Sequence, residues 1–173
     1  MRQKKVTPID LLFLLIRNKN FKDRKLTRAD GLFYCYNIVM KKGFKENIEK
    51  ATVENSNFRK VLYTAKHCQL VLMTLKPGEE IGMEVHPDND QFFRFEKGNG
   101  RVIINDTEYK VGNGDAVIVP SGSKHNVINI SKIKDLKLYT IYSPAHHKDG
   151  IVRATKQEAE ANGPEFDGVT TEQ

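Results

Sequence analysis

Cysteine is scarce in this sequence, and its scarcity excludes two common kinds of site. Cys35 and Cys68 are the two cysteines among 173 residues, and no Cys-x-x-Cys pair occurs. Because a zinc ribbon or a thioredoxin-type redox site needs cysteines at short spacing, neither is expected. Both cysteines are predicted to be reduced thiols, as is typical of a cytoplasmic protein.

Long apolar segments are also absent. The run Ile9–Ile16 is interrupted by Asp10 and is far shorter than the ~20 residues that a membrane-spanning helix needs. Charged residues follow this run and no small-residue cleavage site appears, so a secretory signal is not expected either. These absences predict a cytoplasmic protein without a membrane span.

Positive charge is unevenly distributed along the chain. The formal net charge is +6, yet lysine and arginine outnumber aspartate and glutamate 13 to 5 in residues 1–50 and are outnumbered 15 to 17 afterwards. A basic segment can contact nucleic acid, acidic lipid or an acidic partner. This one lacks Arg-Gly repeats, zinc-finger spacing and a long Lys/Arg run, so a solvated cationic surface is favoured over nucleic-acid binding.

Residues 1–45 are predicted to form a basic extension with one short helix. Thr7 can cap that helix, Pro8 suits its first position, and Asp10 favours the positive end of its dipole. The helix is expected to end near Arg17. Because apolar side chains cover nearly its whole circumference, we expect it to pack on the rest of the chain or on a second copy. A homodimer would bury it.

Two further segments of the extension differ in composition. Residues 18–30 are polar and charged, and we interpret them as a linker. Residues 31–42 are apolar and aromatic, a composition that fits a strand or a helix.

Residues 46–145 have the pattern of a β-structure. Short runs rich in β-branched and aromatic residues alternate with turns of glycine, proline and asparagine. Strands are predicted at residues 59–63, 69–75, 91–95, 101–105, 108–111, 116–119, 126–130 and 136–142. Many short strands at close, even spacing favour a sandwich or a barrel.

Residues 146–173 are predicted to contain a loop, a short helix and a polar tail. The segment from Thr155 to Glu158 has the form of a capping box, which marks the start of a helix. His146, His147 and Asp149 precede it and could form a second metal site or have an acid/base role. We favour exposed loop histidines, because loops usually run on the surface.

Two glycine-punctuated blocks carry the residues of greatest chemical interest. The first block contains Gly78, Glu84, His86, Gln91 and Gly98, and the second contains Gly114, Pro120, Gly122, His125 and Asn129. Residues two apart on a strand share a face, so Glu84 and His86 are expected to point the same way. Gln91 begins the next strand and His125 opens a later one, so we expect these four side chains to converge.

The four side chains supply two imidazoles, one carboxylate and one amide oxygen. Such a mixed nitrogen and oxygen set suits a divalent ion, namely Fe(II), Mn(II), Zn(II) or Ni(II). A metal-free pocket, in which the four groups satisfy one another by hydrogen bonding, is the alternative. Gln91 is the weakest ligand of the set, because its amide oxygen is neutral.

The two blocks resemble the signature motifs of the cupin superfamily, over about residues 46–143. The resemblance implies an all-β fold, a cupin-type antiparallel β-barrel (double-stranded β-helix or jelly roll) with an N-terminal helical extension and a short C-terminal helix. In that superfamily the first block usually carries His-x-His and a glutamate. The resemblance therefore implies that Glu84 stands where the first histidine usually stands, and Gln91 where the glutamate does.

Phosphomannose isomerases, which are also cupins, have a zinc site of similar composition, with Glu84 and Gln91 in exchanged positions. This resemblance implies a metal-dependent enzyme acting on a small polar metabolite, such as a sugar or a sugar phosphate. Two alternatives stay open. One is a non-haem Fe(II) or Mn(II) dioxygenase, and the other is a non-catalytic cupin that binds a small molecule. No catalytic residue is assigned.

Several other side chains are interpreted by strand alternation. Arg94 could meet a phosphate, but it lies on the opposite face from Gln91 and is expected at the surface. Lys124 fits the mouth of the barrel and plain solvent equally well. Tyr139 and Tyr142 are expected in the core or in an interface. An outward-facing Phe92 adds to the prediction of a homodimer.

Overall fold

A computed structural model describes most of the chain. It covers residues 4–6, 24–29, 32–37, 41–163 and 166–172. The chain divides into two compact units, Met1–Lys42 and Gly43–Glu172. Within the described ranges, no helix is long and apolar enough to cross a membrane.

The first unit contains a three-stranded antiparallel sheet. Its strands are β1 (Lys4–Val6), β2 (Arg24–Ala29) and β3 (Leu32–Asn37), in the order β1-β3-β2. The prediction of a linker over residues 18–30 is therefore wrong for β2, because main-chain pairing with β3 does not require apolar side chains. The segment that fitted a strand or a helix forms the strand β3. The helix predicted between Thr7 and Arg17 lies outside the described residues.

The second unit is built from two antiparallel sheets. Its strands are β4 (Arg59–Thr64), β5 (Gln69–Leu75), β6 (Glu84–Val85), β7 (Asp90–Lys97), β8 (Asn99–Ile104), β9 (Thr107–Gly112), β10 (Ala116–Val119), β11 (Lys124–Asn129), β12 (Leu136–Ser143) and β13 (Val152–Arg153). One sheet has the order β10-β7-β12-β5-β4-β13, and the other β6-β11-β8-β9. All the strands predicted between residues 59 and 142 are present. The two-residue strands β6 and β13 were not predicted.

Two short helices accompany these sheets. Helix α1 (Ile48–Glu54) was not predicted; Asn47 caps it and accepts a hydrogen bond from the Lys50 N–H at 3.1 Å. Helix α2 (Lys156–Ala161) confirms the predicted C-terminal helix. Thr155 Oγ1 accepts from the Glu158 N–H, and the Glu158 carboxylate accepts from the Ala154 N–H. The two bonds satisfy main-chain donors at the helix start and at the residue before its cap.

One apolar core lies between the two sheets. The buried side chains of Phe93, Phe95 and Leu138 come from the six-stranded sheet, and those of Val102 and Val127 from the four-stranded sheet. Because both sheets contribute to the same cluster, they face each other around it. This arrangement agrees with the predicted all-β jelly-roll class.

Strand register and one glycine bring the motif residues into position. On paired strands His125 lies opposite Glu84, and Tyr142 lies opposite Gln91. Gly98, which ends the first motif block, has φ +93°, and a Cβ there would lie 2.5 Å from the Asp135 main-chain oxygen. A left-handed conformation together with this close approach requires glycine.

Candidate metal centre

Glu84, His86 and His125 form a compact cluster of metal-binding side chains. Each offers one ligand atom, and these atoms all lie within 4.8 Å of one another. Glu84 and His86 share a face, whereas Val85 between them is 51% exposed. The alternation predicted from the sequence therefore holds at this short strand.

His86 has a ring nitrogen that the described protein atoms leave unsatisfied. Its Nε2 lies 3.3 Å from Glu84 Oε2, but among the described residues it makes no aligned hydrogen bond. The main chain of His86 is fixed, since its carbonyl accepts a hydrogen bond from the Gly122 N–H at 2.8 Å. Gly122 of the second motif block thus fixes the main chain of His86, a candidate ligand from the first block.

The charge state of Glu84 follows from its neighbours. Burial by itself would raise the pKa of this carboxyl group, but the close contact with His86 and the positive charge of Arg59 outweigh burial. The pKa of Glu84 therefore lies below its usual range. The side chain is an ionised carboxylate at neutral pH.

The hydrogen bond of His125 to the main chain determines its tautomer. Nδ1 lies 3.1 Å from the Ser123 carbonyl oxygen, and because a carbonyl only accepts, Nδ1 is the protonated nitrogen. Burial lowers the pKa of His125, so the ring is neutral and Nε2 carries a free electron pair. A metal-binding histidine has this arrangement, with its other N–H donated to a carbonyl or a carboxylate.

Gln91 faces the free nitrogen of His125. Its Oε1 lies 3.1 Å from His125 Nε2, and its Nε2 donates to Thr140 Oγ1 at 3.0 Å. With Nδ1 of His125 protonated, the two facing atoms are both acceptors, and a cation bound by both relieves their repulsion. A rotated Gln91 amide, whose NH2 donates to His125 while its oxygen accepts from the Thr140 hydroxyl, also relieves it. The donor set fits a divalent cation. The structure brings all four predicted side chains together, while their assignment as ligands stays a prediction.

The two histidines beyond the last long strand are not exposed, and that expectation is wrong. His147 is 1% exposed, His146 is half-buried, and the His146 ring lies 4.4 Å from the His86 ring, between centroids. The buried Gln69 amide explains this position, because it accepts from the His147 N–H at 2.9 Å and donates to the His147 carbonyl at 2.7 Å. The segment is thereby held against the barrel.

Burial keeps both of these histidines neutral. It lowers the pKa of His146 to about 4 and that of His147 to about 2. Asp149 is not part of this group, since it accepts a hydrogen bond from Thr171 Oγ1 at 2.7 Å. Tyr142 is buried, as expected, and its ring lies 5.7 Å from that of His86. Burial raises the pKa of Tyr142, so its hydroxyl group stays protonated.

A cavity of about 150 Å³ opens beside the cluster. Its lining includes Arg59, Glu84, His86, Tyr142, His146 and His147. Helix α2 closes one side with Lys156 and Glu160. His125 is not part of this lining and packs behind His86, with 5.3 Å between ring centroids. The cavity therefore meets the cluster on its Glu84 and His86 side.

Sequence reasoning missed Arg59 as a cavity residue, whereas Arg94 and Lys124 do not reach the cavity. Arg59 is 6% exposed and opens β4, where it shares a face with the buried Val61; that alternation was the available signal. Arg94 is half-exposed and lies 3.5 Å from Glu96, which agrees with the expected surface position. Lys124 is exposed, and neither Arg94 nor Lys124 lines this cavity.

Comparison with known proteins places the chain among proteins of the same fold. The family model described as "Cupin domain" matches residues 71–142, a range that includes all four predicted ligands. The crystal structure of BH2720 from Bacillus halodurans is similar, with a TM-score of 0.68 and 40% identity. The match covers 70% of this chain and 96% of that one.

Two curated proteins are similar over most of their length. Uncharacterized protein L612 of Acanthamoeba polyphaga mimivirus is 42% identical over 120 residues, which cover 68% of this chain and 75% of L612. Uncharacterized protein YrkC of Bacillus subtilis (strain 168) is 43% identical over 135 residues, which cover 72% of each chain. Neither name states a reaction.

Proposed function

This chain belongs to the cupin family, and from that premise we propose that it is a metal-dependent enzyme acting on a small polar metabolite. Glu84, His86 and His125 would hold a divalent ion, with Gln91 as a weaker fourth donor. Zn, Fe, Mn and Ni all suit such a set. The observation that carries the proposal is the orientation of His125, whose Nδ1–H is donated to Ser123 so that Nε2 faces the cluster.

A divalent ion at this position would polarise a substrate carbonyl or lower the pKa of a bound water molecule. The remaining chemistry belongs to the side chains of the cavity. His146 lines it, lies beside His86 and is not needed to hold the ion. We assign it the transfer of a proton to or from the bound substrate. Sugars and sugar phosphates, interconverted by an aldose-ketose isomerase, are the substrate class that the family resemblance suggests.

An Fe(II) or Mn(II) dioxygenase is the second candidate, and the position of Gln91 favours it. The Gln91 amide is 1% exposed, bonded to Thr140 and not part of the cavity lining. If Gln91 only orients His125, two histidines and one carboxylate remain, a set that leaves coordination positions open for substrate and oxygen. A non-catalytic cupin that binds a small molecule without converting it is the third candidate.

Assays on purified, metal-analysed protein separate these readings. An isomerase would interconvert fructose 6-phosphate and mannose 6-phosphate, followed by NMR, without oxygen uptake. Substrate-dependent oxygen uptake by the iron-loaded protein would instead support the dioxygenase. A binder would be thermally stabilised by a ligand and form no product.

The role of His146 gives a sharper test. In the variant His146→Gln, turnover is expected to fall about 100-fold or more, because a positioned acid/base group contributes on that order. Metal content should stay at the wild-type level. The exposed His67, replaced in His67→Gln, is the matched control. Unchanged turnover in His146→Gln, or a loss of metal with it, would contradict the assignment.

A further inference from the structure

We infer that Arg59 binds a carboxylate group of the ligand, so that the cavity takes a small carboxylic acid with an oxygen on the neighbouring carbon, a 2-hydroxy or 2-oxo acid. This inference rests on the proposed metal-dependent function, and it replaces the sugar phosphates that the family resemblance suggests with a smaller polar metabolite. The carboxylate would lie against the guanidinium group, and the neighbouring oxygen would face Glu84 and His86.

Arg59 is a buried cation without an acidic partner in the described part of the chain. It is 6% exposed and forms no ion pair there. Other arginines reach acids, since Arg94 lies 3.5 Å from Glu96 and Arg101 lies 3.3 Å from Glu108. Burying an unpaired charge is costly, so a buried arginine of this kind indicates that the cavity binds an anionic ligand.

The acids that line the cavity have other partners. Glu84 lies 3.3 Å from His86, and Glu160 lies 3.6 Å from Lys156. Glu84 still lies within the electrostatic reach of Arg59, so the two charges offset each other in part. A divalent ion held by the cluster would then leave the cavity with an excess of positive charge. An anionic ligand would compensate it.

Three unsatisfied histidine nitrogens belong to the lining of the same cavity. Both ring nitrogens of His147 lack a hydrogen-bond partner among the described residues, as does Nε2 of His86, and both rings line the cavity with Arg59. Polar atoms this deeply buried are normally satisfied. Their concentration in the lining of one cavity indicates that a polar ligand forms hydrogen bonds with them.

The size of the cavity and the shape of the guanidinium group favour a small carboxylic acid over a sugar phosphate. A planar guanidinium group matches the two oxygens of a carboxylate. The volume of about 150 Å³ equals that of an engineered protein cavity that binds benzene. Lactate and pyruvate have the same number of non-hydrogen atoms as benzene. A hexose phosphate is far larger.

Isothermal titration with four probes tests the inference. Lactate and pyruvate are the acids, lactamide is the uncharged analogue, and inorganic phosphate is the competing anion. Zinc-loaded protein should bind one of the acids and bind lactamide at least about tenfold more weakly, because hydrogen bonds to charged groups have that strength. Equal binding of lactamide, or tighter binding of phosphate than of either acid, would overturn the inference.

The variant Arg59→Met, which keeps the length of the side chain and removes its charge, tests the residue itself. Affinity for the acid should fall about 10- to 100-fold, while zinc content and melting temperature stay at or above wild type. The surface variant Arg101→Met is the matched control and should bind like wild type. Undiminished affinity in Arg59→Met would overturn the inference. A lower melting temperature with undiminished affinity would make Arg59 a structural residue.

A second variant and a second set of titrations complete the test. Arg59→Lys keeps the charge but loses the planar guanidinium group, so it should weaken binding of the acid less than Arg59→Met does. If Arg59→Met does not fold, Arg59→Lys serves as the test, and unchanged affinity in that variant contradicts the inference. The titrations are repeated on protein treated with EDTA. If wild type binds no metal, the proposed function fails, but acid binding that still depends on Arg59 would uphold the anion site.

Discussion

At the scale of single residues, the environment of each histidine determines what it can do. His125 is fixed by a main-chain carbonyl and presents one free nitrogen to the cluster. His146 is half-buried at the cavity, and His147 is buried completely. Histidine is therefore a ligand candidate at His125, the proposed proton carrier at His146 and a neutral buried residue at His147, and burial and hydrogen bonding decide between these roles.

The buried His147 should make stability depend on pH. Burial lowers its pKa to about 2 in the folded state, against about 6.5 in the unfolded chain. As the pH falls, the unfolded state takes up the proton first. The contribution of neutral His147 to the free energy of unfolding is therefore fully present above pH 6.5. It is lost as the pH falls, by about 1.4 kcal/mol per pH unit.

Urea denaturation of EDTA-treated protein at pH 7 and pH 5 measures this loss. Wild type should lose more free energy of unfolding between these pH values than His147→Asn does, by roughly 2 kcal/mol. The exposed His67 gives a control, and His67→Asn should behave like wild type. An identical pH dependence in wild type and His147→Asn would contradict the buried, neutral state.

At the scale of elements, the clearest patterns in the sequence predicted the structure best. Strands such as β5 and β12 have β-type composition and turn residues at their ends. In contrast, β6 has two residues, too few for any periodicity. The charged composition of β2 hid a hairpin strand, although Asp30-Gly31 after it is a sequence typical of hairpin turns.

The segment after β12 depends on a long-range contact that no local pattern reveals. Gln69 on β5 binds both main-chain polar groups of His147, 78 residues later in the sequence. In the variant Gln69→Leu these buried groups lose their partners, and the free energy of unfolding should fall by about 2–4 kcal/mol. Chemical denaturation measures the loss.

Hydrogen exchange should localise the effect of Gln69→Leu. Amide protons of residues 145–148 are expected to exchange faster in this variant, with little change in the core strands. Gln157 is exposed on helix α2, so Gln157→Leu is the matched control and should leave stability nearly unchanged. Unaltered exchange at residues 145–148 would show that other contacts hold the segment.

At the scale of the whole molecule, the motif residues were predictable, including the two that line the cavity, Glu84 and His86, whereas Arg59 and His147 were not predicted to line it. Glycine and proline spacing identified Glu84, His86, Gln91 and His125, because the motif encodes both the turns and the strand faces. Arg59 and His147 reach the cavity only through tertiary packing. Helix α2 was predicted from its capping box, yet its place in the cavity wall depends on the folded barrel.

The predicted homodimer stays a prediction. On the outer face of the six-stranded sheet, Ile118 is 66% exposed and lies opposite Phe92 in the strand register, and Phe92 lies opposite Ile141. Phe92 and Ile141 are half-buried. This apolar row is a surface on which a second copy could pack.

The metal content of the protein tests the central claim most directly. Protein purified without added metal and analysed by mass spectrometry should contain about one divalent transition-metal ion per chain, because the described part of the chain contains one cluster of suitable ligands. His86→Ala and His125→Ala should lose that ion, whereas the exposed-site control His67→Ala should keep it. A metal-free wild type, or full metal content in folded His86→Ala and His125→Ala, would contradict the account.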